Sequence, residues 1–292
     1  MQLKEWKSKH KSIEIGDEYL SYLDTETEKD IIIIFHEFGS SSYTYHKIIA
    51  QLKEQYRVII PDLIGFGLSS KPQYYYNSIL DHAQILIDFI SQLNIQNFSV
   101  LAHGFGTSVF CEILNIIESN ALALEIKNIF LLNGSLTIET TKNLSFQTII
   151  ENGITSKFIK ITISYEFFKK YFKESLGKND AISEDEFKVL WQLQNLNNGA
   201  RIIKFIDYCI RERKLYSEKW ISILKSYSSQ IHIIWGENDI LSSLSSAEIL
   251  KNTLNLPKMY TLQNCGHFPM FEKPERFSEL ILKLKSETEC VS

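Results

Sequence analysis

A histidine and an aspartate of this chain each fall just after an expected strand, where reacting groups would meet a ligand. His267 sits in Cys265-Gly266-His267-Phe268-Pro269 and Asp239 in Gly236-Glu237-Asn238-Asp239, each just after a short apolar run. A carboxylate beside an imidazole fixes its tautomer and stabilises its charged form, as a base serving a nucleophile requires. Plainer roles exist for both: a helix-capping or partly buried histidine, and an aspartate that starts a helix before a serine-rich turn. Glu237 is the neighbouring alternative carboxylate. Asn133, after another apolar run, reads as a turn residue.

The nucleophile such a pair would serve is missing. Phe98–Ser108 reads FSVLAHGFGTS: a strand, a glycine-bearing turn and the start of a helix. This is the setting of a G-x-S-x-G nucleophile elbow, which exposes one reactive side chain on a sharp strand-to-helix turn. Its central position is Gly104. Covalent catalysis needs a side chain with a lone pair, and Thr107, Ser108 and Cys111 fall one or two helical turns on, directed away from the base. Glycine does relieve the strain of an elbow backbone, which costs other residues about 1–3 kcal/mol.

These residues must be positioned by strands that alternate with helices. Asp30–Phe35, Arg57–Ile60, Phe98–Ala102, Asn128–Leu132, Ile231–Trp235 and Lys258–Leu262 are short apolar runs, as in strands buried on both faces. Tyr43–Gln55, Ser78–Leu93, Phe105–Glu118 and Arg276–Lys285 read as helices, and Ile13–Leu23 as two short antiparallel strands. The expected fold is α/β, a mostly parallel sheet flanked by helices, with ligands held beyond the carboxyl ends of the strands. His36, Glu37 and His103 fall at such ends and are candidates for touching a ligand. Residues 135–229 are too long for a crossover loop and read as an inserted helical cap, between core segments 1–134 and 230–292. Its helices are expected at Phe158–Phe172 and Ile202–Leu215.

Composition narrows the class. The chain has 292 residues, 44% hydrophobic and 23% charged, as in a globular protein. A net charge of −4 argues against a general nucleic-acid partner. No apolar run approaches a membrane span, the N-terminal stretch lacks an apolar leader, and Cys111, Cys209, Cys265 and Cys290 show no paired metal-ligand spacing. The expectation is a cytoplasmic protein without metal or cofactor.

Five segments in order then resemble the capped branch of the α/β-hydrolase fold, the branch of haloalkane dehalogenases, epoxide hydrolases and mesoderm-specific transcript proteins. They are His36-Glu37-Phe38-Gly39, PDLIGFGLSSKP (Pro61–Pro72), the elbow, WGENDIL (Trp235–Leu241) and NCGHFPMFEKPERF (Asn264–Phe277). The resemblance implies that His267 is the catalytic base and Asp239 its partner, with the backbone N–H groups of Phe38 and Phe105 as the oxyanion hole. It places Gly104 where Ser, Asp or Cys is usual and Glu37 where Gly is usual. A carboxylate at 37 opposes developing negative charge if it points inward, and is inconsequential if it points to solvent. Three functions remain open: a non-catalytic or weakened hydrolase homologue binding a small apolar ligand or a partner; an enzyme using His267–Asp239 as a general base; and an ester, epoxide or haloalkane hydrolase whose nucleophile is altered.

Overall fold

The computed structural model describes residues 1–73, 78–134, 136, 164–177 and 181–289. Eight strands form one sheet: β1 (His10–Ile15), β2 (Glu18–Asp24), β3 (Asp30–Phe35), β4 (Tyr56–Pro61), β5 (Asn97–His103), β6 (Glu125–Leu132), β7 (Ile231–Gly236) and β8 (Tyr260–Leu262). Their order is β1-β2-β4-β3-β5-β6-β7-β8. The hairpin β1–β2 and the pair β2–β4 are antiparallel; every other pair is parallel. Ile32, Ile33, Ile34 and Phe35 are all buried because helices cover both faces of β3.

The helices Ile79–Gln92 and Phe105–Ser119 pack on one face. Pro274–Glu289 lies on the other, where Phe277, Ile281 and Leu284 join Ile32, Ile34 and Leu101. Tyr43–Gln55 differs from expectation. It is a 3₁₀ turn over Ser42–Tyr45 followed by a four-residue helix, Ile49–Leu52. Ser42, Tyr43, Thr44 and Tyr45 are all buried, so the segment has no solvent face around which a regular amphipathic helix could form.

In the inserted segment, Phe158 and residues up to 163 lie outside the described residues. The first expected helix is seen as Tyr165–Glu174, which is followed by Glu184–Asn195. Ser183 opens the latter with a capping box to Glu186. The second expected helix starts later and runs further, Ile206–Ser226, after a 3₁₀ segment at Leu196–Phe205 in which Asn197 and Asn198 have positive φ. Its C-terminal half lies against the core helix Phe105–Ser119: Trp220 Nε1 donates to Glu112 Oε2 at 2.7 Å. Among the described residues, no helix is long and apolar enough to cross a membrane.

Candidate functional site

The turn after β5 has the backbone of an elbow. Gly104 has φ 52° and ψ −109°, and it caps the helix that starts at Phe105. An L-residue avoids this region. The close approach of helix to strand is built by Gly106, where a Cβ would lie 2.3 Å from the Phe35 carbonyl oxygen.

Glu37 fills the space left by Gly104. A Cβ built on Gly104 would lie 1.2 Å from Glu37 Oε2 and 2.4 Å from its carboxyl carbon. The carboxylate points inward, with 18% of the side chain exposed, so the solvent-facing alternative does not hold. Phe105 N–H donates to Oε2 at 2.6 Å. One of the two expected oxyanion-hole donors is therefore occupied by a carboxylate of the protein itself. Phe38, the other expected donor, packs its ring against Phe66 and Phe105 at centroid distances of 5.1 and 5.5 Å.

His36 holds the Glu37 backbone in place. Its Nδ1–H donates to the Glu37 carbonyl at 2.8 Å, and its Nε2 accepts from Leu63 N–H at 3.0 Å. Both ring nitrogens are thus committed to backbone. Ser40 N–H also donates to the Glu37 carbonyl at 3.1 Å. The loop after β3 is therefore tied both to itself and to the loop after β4, and this aims Glu37 at the elbow.

The two residues read as base and partner meet. His267 Nδ1–H donates to Asp239 Oδ2 at 2.8 Å. Asp239 is saturated: Asn133 Nδ2 donates to Oδ2 at 2.6 Å, while Leu241 and Ser242 N–H donate to Oδ1 at 2.7 and 3.1 Å. Asn133 orients the carboxylate that orients the histidine, a role that its reading as a turn residue missed. It does sit in a turn, at φ 47°. Glu237, the alternative carboxylate, lies outside this network and accepts from Asn264 N–H at 3.4 Å.

His267 Nε2 faces Glu37 Oε2 at 3.6 Å. That is an ion-pair distance, too long for a hydrogen bond, and Nε2 has no hydrogen-bond partner among the described residues. Burial alone would lower the pKa of His267, but Asp239 and Glu37 outweigh it and hold it at about 10. Burial pushes Glu37 up, and His267 and the Phe105 amide more than reverse this, so it stays below its ordinary value. At neutral pH the site is carboxylate, imidazolium, carboxylate.

His103 lies beside this array, its ring centroid 4.8 Å from that of His267. Its Nε2–H donates to the His267 carbonyl at 2.8 Å, and its Nδ1 accepts from the Tyr45 hydroxyl at 3.3 Å. Burial lowers its pKa to about 3, so it stays neutral. Glu37, His103 and His267 each bring one possible metal-ligand atom within 4.8 Å of the others. With both nitrogens of His103 committed, this arrangement presents two donors rather than three, short of the three protein ligands a catalytic metal site keeps.

The helix Tyr165–Glu174 and the turn after it touch the histidine loop directly. Ser175 carbonyl accepts from His267 N–H at 2.8 Å, and Phe172 stacks on Phe268 at 4.4 Å. Nearby, Phe168 packs on Trp191 at 5.4 Å. Beside the site, a cleft opens between Gly39–Ser40, Phe66 and the residues Gln194, Gly199 and Ile202.

Comparison with known proteins agrees with the fold. A family model described as alpha/beta hydrolase fold matches residues 30–274. The mesoderm-specific transcript protein of Mus musculus is 29% identical over 255 residues, covering 85% of this chain and 76% of that protein. Its Homo sapiens homolog is 28% identical over 285 residues, covering 94% and 85%. The crystal structure of lip1 from Acinetobacter baumannii AYE superposes with a TM-score of 0.81 at 22% identity, covering 99% of this chain and 96% of that one.

Proposed function

We propose, from the premise that this chain belongs to the alpha/beta hydrolase fold family, that it is a hydrolase in which Glu37 replaces the elbow nucleophile. One observation carries this reading: the Glu37 carboxylate lies where a side chain at residue 104 would begin, 1.2 Å from its Cβ position. The three groups of a carboxylate-dependent hydrolase are then present, contributed as Glu37, His267 and Asp239. The substrate class is a small, largely apolar alkyl electrophile with a leaving group stable as an anion.

An ionised carboxylate is the form a nucleophile needs, and His267 keeps Glu37 ionised. In the first step a Glu37 oxygen bonds to the electrophilic carbon, and the leaving group departs with the electron pair of the broken bond. The product is a glutamyl ester. Esterification removes one of the two anions that raise His267, so its pKa falls, it releases its proton to solvent alongside the leaving anion, and it becomes competent as a base. In the second step, His267 Nε2 takes a proton from water, which adds to the carboxyl carbon of Glu37. The oxyanion accepts from Phe105 N–H. The ester C–O bond then breaks, the alcohol takes the proton from His267, and Glu37 is regenerated. The net reaction is hydrolysis of R–X to R–OH and HX.

A non-catalytic reading is favoured by one specific observation: the Phe105 donor and the His267 cation are satisfied by the protein's own carboxylate. The deciding experiment is turnover of 1-bromobutane or a benzyl halide in ¹⁸O-water, followed by peptide mass spectrometry. The proposed route places ¹⁸O in the Glu37 carboxylate over several turnovers. Halide release without label at Glu37, or no release at all, would reject it. A cytoplasmic setting is in keeping with the buried thiols of Cys111 and Cys265, which form no disulfide.

A further inference from the structure

The loop that carries His267 is held by a carboxylate outside the reacting groups. Glu272 ends the short helix Pro269–Glu272 and folds back on the residues that flank the base. Its Oε1 and Oε2 accept from Gly266 N–H at 2.9 and 3.0 Å, and Oε1 lies 3.4 Å from Phe268 N. Oε2 also accepts from Gly177 N–H at 2.8 Å, 95 positions earlier in the chain. Gly177 belongs to the turn after the helix Tyr165–Glu174. The N–H of His267 itself goes to the Ser175 carbonyl of the same turn at 2.8 Å. Gly266, His267 and Phe268 are all buried, and buried amides need partners. Here those partners are one turn and the carboxylate that joins it to the loop.

The turn and the loop meet backbone to backbone. A Cβ on Gly177 would lie 2.7 Å from the Cys265 carbonyl carbon and from the Gly266 nitrogen. One on Gly266 would lie 2.4 Å from the Gly177 nitrogen and from the Ser175 carbonyl oxygen. On its other side the loop is tied to Asp239: Asn238 N–H donates to the Cys265 carbonyl at 2.8 Å. Bonds from amides to an ionised carboxylate are stronger than those to a neutral carbonyl. His267 Nδ1 and Asp239 Oδ2 are 2.8 Å apart, and N–H···O bonds span only about 2.7–3.2 Å. A small displacement of the loop therefore loosens the base from its partner.

We propose that Glu272 is a positioning residue for His267: it clamps the turn at 175–177 onto the histidine loop, so that His267 meets Asp239 in register only while that turn is seated. The standing of His267 as the base rests on the reading above, whereas the clamp involves neither Glu37 nor a substrate. The helix Tyr165–Glu174 thereby acts on the base from outside the site, because lifting its turn releases His267 from Asp239.

The test follows three protons in the full chain by NMR exchange, the amides of Gly177 and Gly266 and the ring Nδ1 proton of His267, together with the His267 ring titration. In the wild type the two amides should exchange through one shared opening. Glu272→Gln keeps the side chain's shape but turns an NH₂ group towards amide donors. All three protons should then exchange at least about tenfold faster, the scale of a lost charged hydrogen bond. His267, held at about 10 in the wild type, should titrate lower by about one unit or more as its bond to Asp239 loosens. Gly177→Ala lifts the turn without changing any charge and should move every reading the same way. Ile90→Val, a core change in the helix Ile79–Gln92, should lower stability and leave the ring proton and titration as they are. Wild-type amides that open separately would overturn the proposal, and that measurement decides even where a variant fails to fold. Released amides with an unmoved ring proton and titration would also overturn it, assigning Glu272 to the fold alone. No arm uses turnover, so a failure of ¹⁸O labelling at Glu37 leaves the clamp standing, and loss of the clamp leaves the labelling result as it is.

Discussion

Glu37 and Gly104 are a matched pair: the carboxylate of one occupies the volume that any side chain on the other would take, with Oε2 1.2 Å from the Cβ position. Each residue alone looks like damage to a hydrolase site. Together they exchange a short side chain on the elbow for a longer one reaching in from the loop after β3. The Phe105 amide and His267 then meet an oxygen atom where they would otherwise meet the nucleophile's.

The pairing predicts a strong coupling between the two positions. Gly104→Ala introduces backbone strain of about 1–3 kcal/mol. It also displaces the Glu37 carboxylate, losing a charged hydrogen bond worth about 1.5–3 kcal/mol. In the double variant Glu37→Gly, Gly104→Ala the second loss cannot recur, so the double change should cost less than the sum of the singles. Denaturant melts of the four proteins measure the cycle. Additive single changes would mean that Glu37 does not occupy the elbow in solution.

Stability should depend on pH through the same pair. His267 is raised from 6.5 to about 10. Its contribution is therefore complete below pH 6.5 and is lost as pH rises towards 10. Glu37 is lowered from 4.5, so its contribution is complete above that value and is lost on acidification. The stability of the wild type relative to Glu37→Gln should be greatest between about pH 5 and 6.5 and decline steadily on the alkaline side. A difference that stays flat from pH 6.5 to 10 would show that Glu37 does not hold the histidine charged.

Much of this site was legible in the chain itself, and the reasons are local. Isoleucine runs such as Ile31–Ile34 announce strands buried on both faces, and Asp239 and His267 follow two of the runs directly. The direction of a side chain is not local. Glu37 lies 67 positions before Gly104, from 104 minus 37, and only the adjacency of β3 and β5 in the sheet brings their trailing loops together. Asn133 was likewise read as a turn residue. Its backbone does turn, but its amide reaches across to Asp239 from the loop after the neighbouring strand. His36 and His103 stand at strand ends as expected, with their ring nitrogens taken up by backbone groups and a tyrosine.

Asn133 should behave as a positioning residue. Asn133→Ala removes the donor to Asp239 Oδ2 and the acceptor of Gly236 N–H, the latter at 3.3 Å. Loss of buried hydrogen bonds of this kind costs about 1–3 kcal/mol. A purely structural role would stop there. Loss of a donor also leaves the Asp239 carboxylate freer to support the proton on His267, so the His267 pKa should rise further and the alkaline limb of any rate profile should move up. Asn133→Asp puts a second carboxylate against Asp239 and should be worse than Asn133→Ala. An Asn133→Ala protein with reduced stability and an unmoved His267 titration would assign the residue to the fold alone.

The charge state of His267 gives the last and most direct prediction. Two anions support its proton, Asp239 through Nδ1 and Glu37 across 3.6 Å from Nε2. Glu37→Gln removes one anion and keeps a side chain of the same shape. The His267 pKa, followed by ¹H–¹⁵N correlation of the ring nitrogens, should then fall from about 10. The glutamine is a poor nucleophile, so halide release and ester formation should be lost even though the histidine is now a better base. These two effects run in opposite directions in the competing general-base reading, where a histidine freed of its proton at neutral pH should work faster in Glu37→Gln. Lowered pKa with lost turnover assigns Glu37 the nucleophile's role. Lowered pKa with raised turnover assigns the chemistry to His267, with Glu37 as its brake. An unchanged pKa would mean that the Glu37 carboxylate does not face His267 in solution, and both assignments would fall.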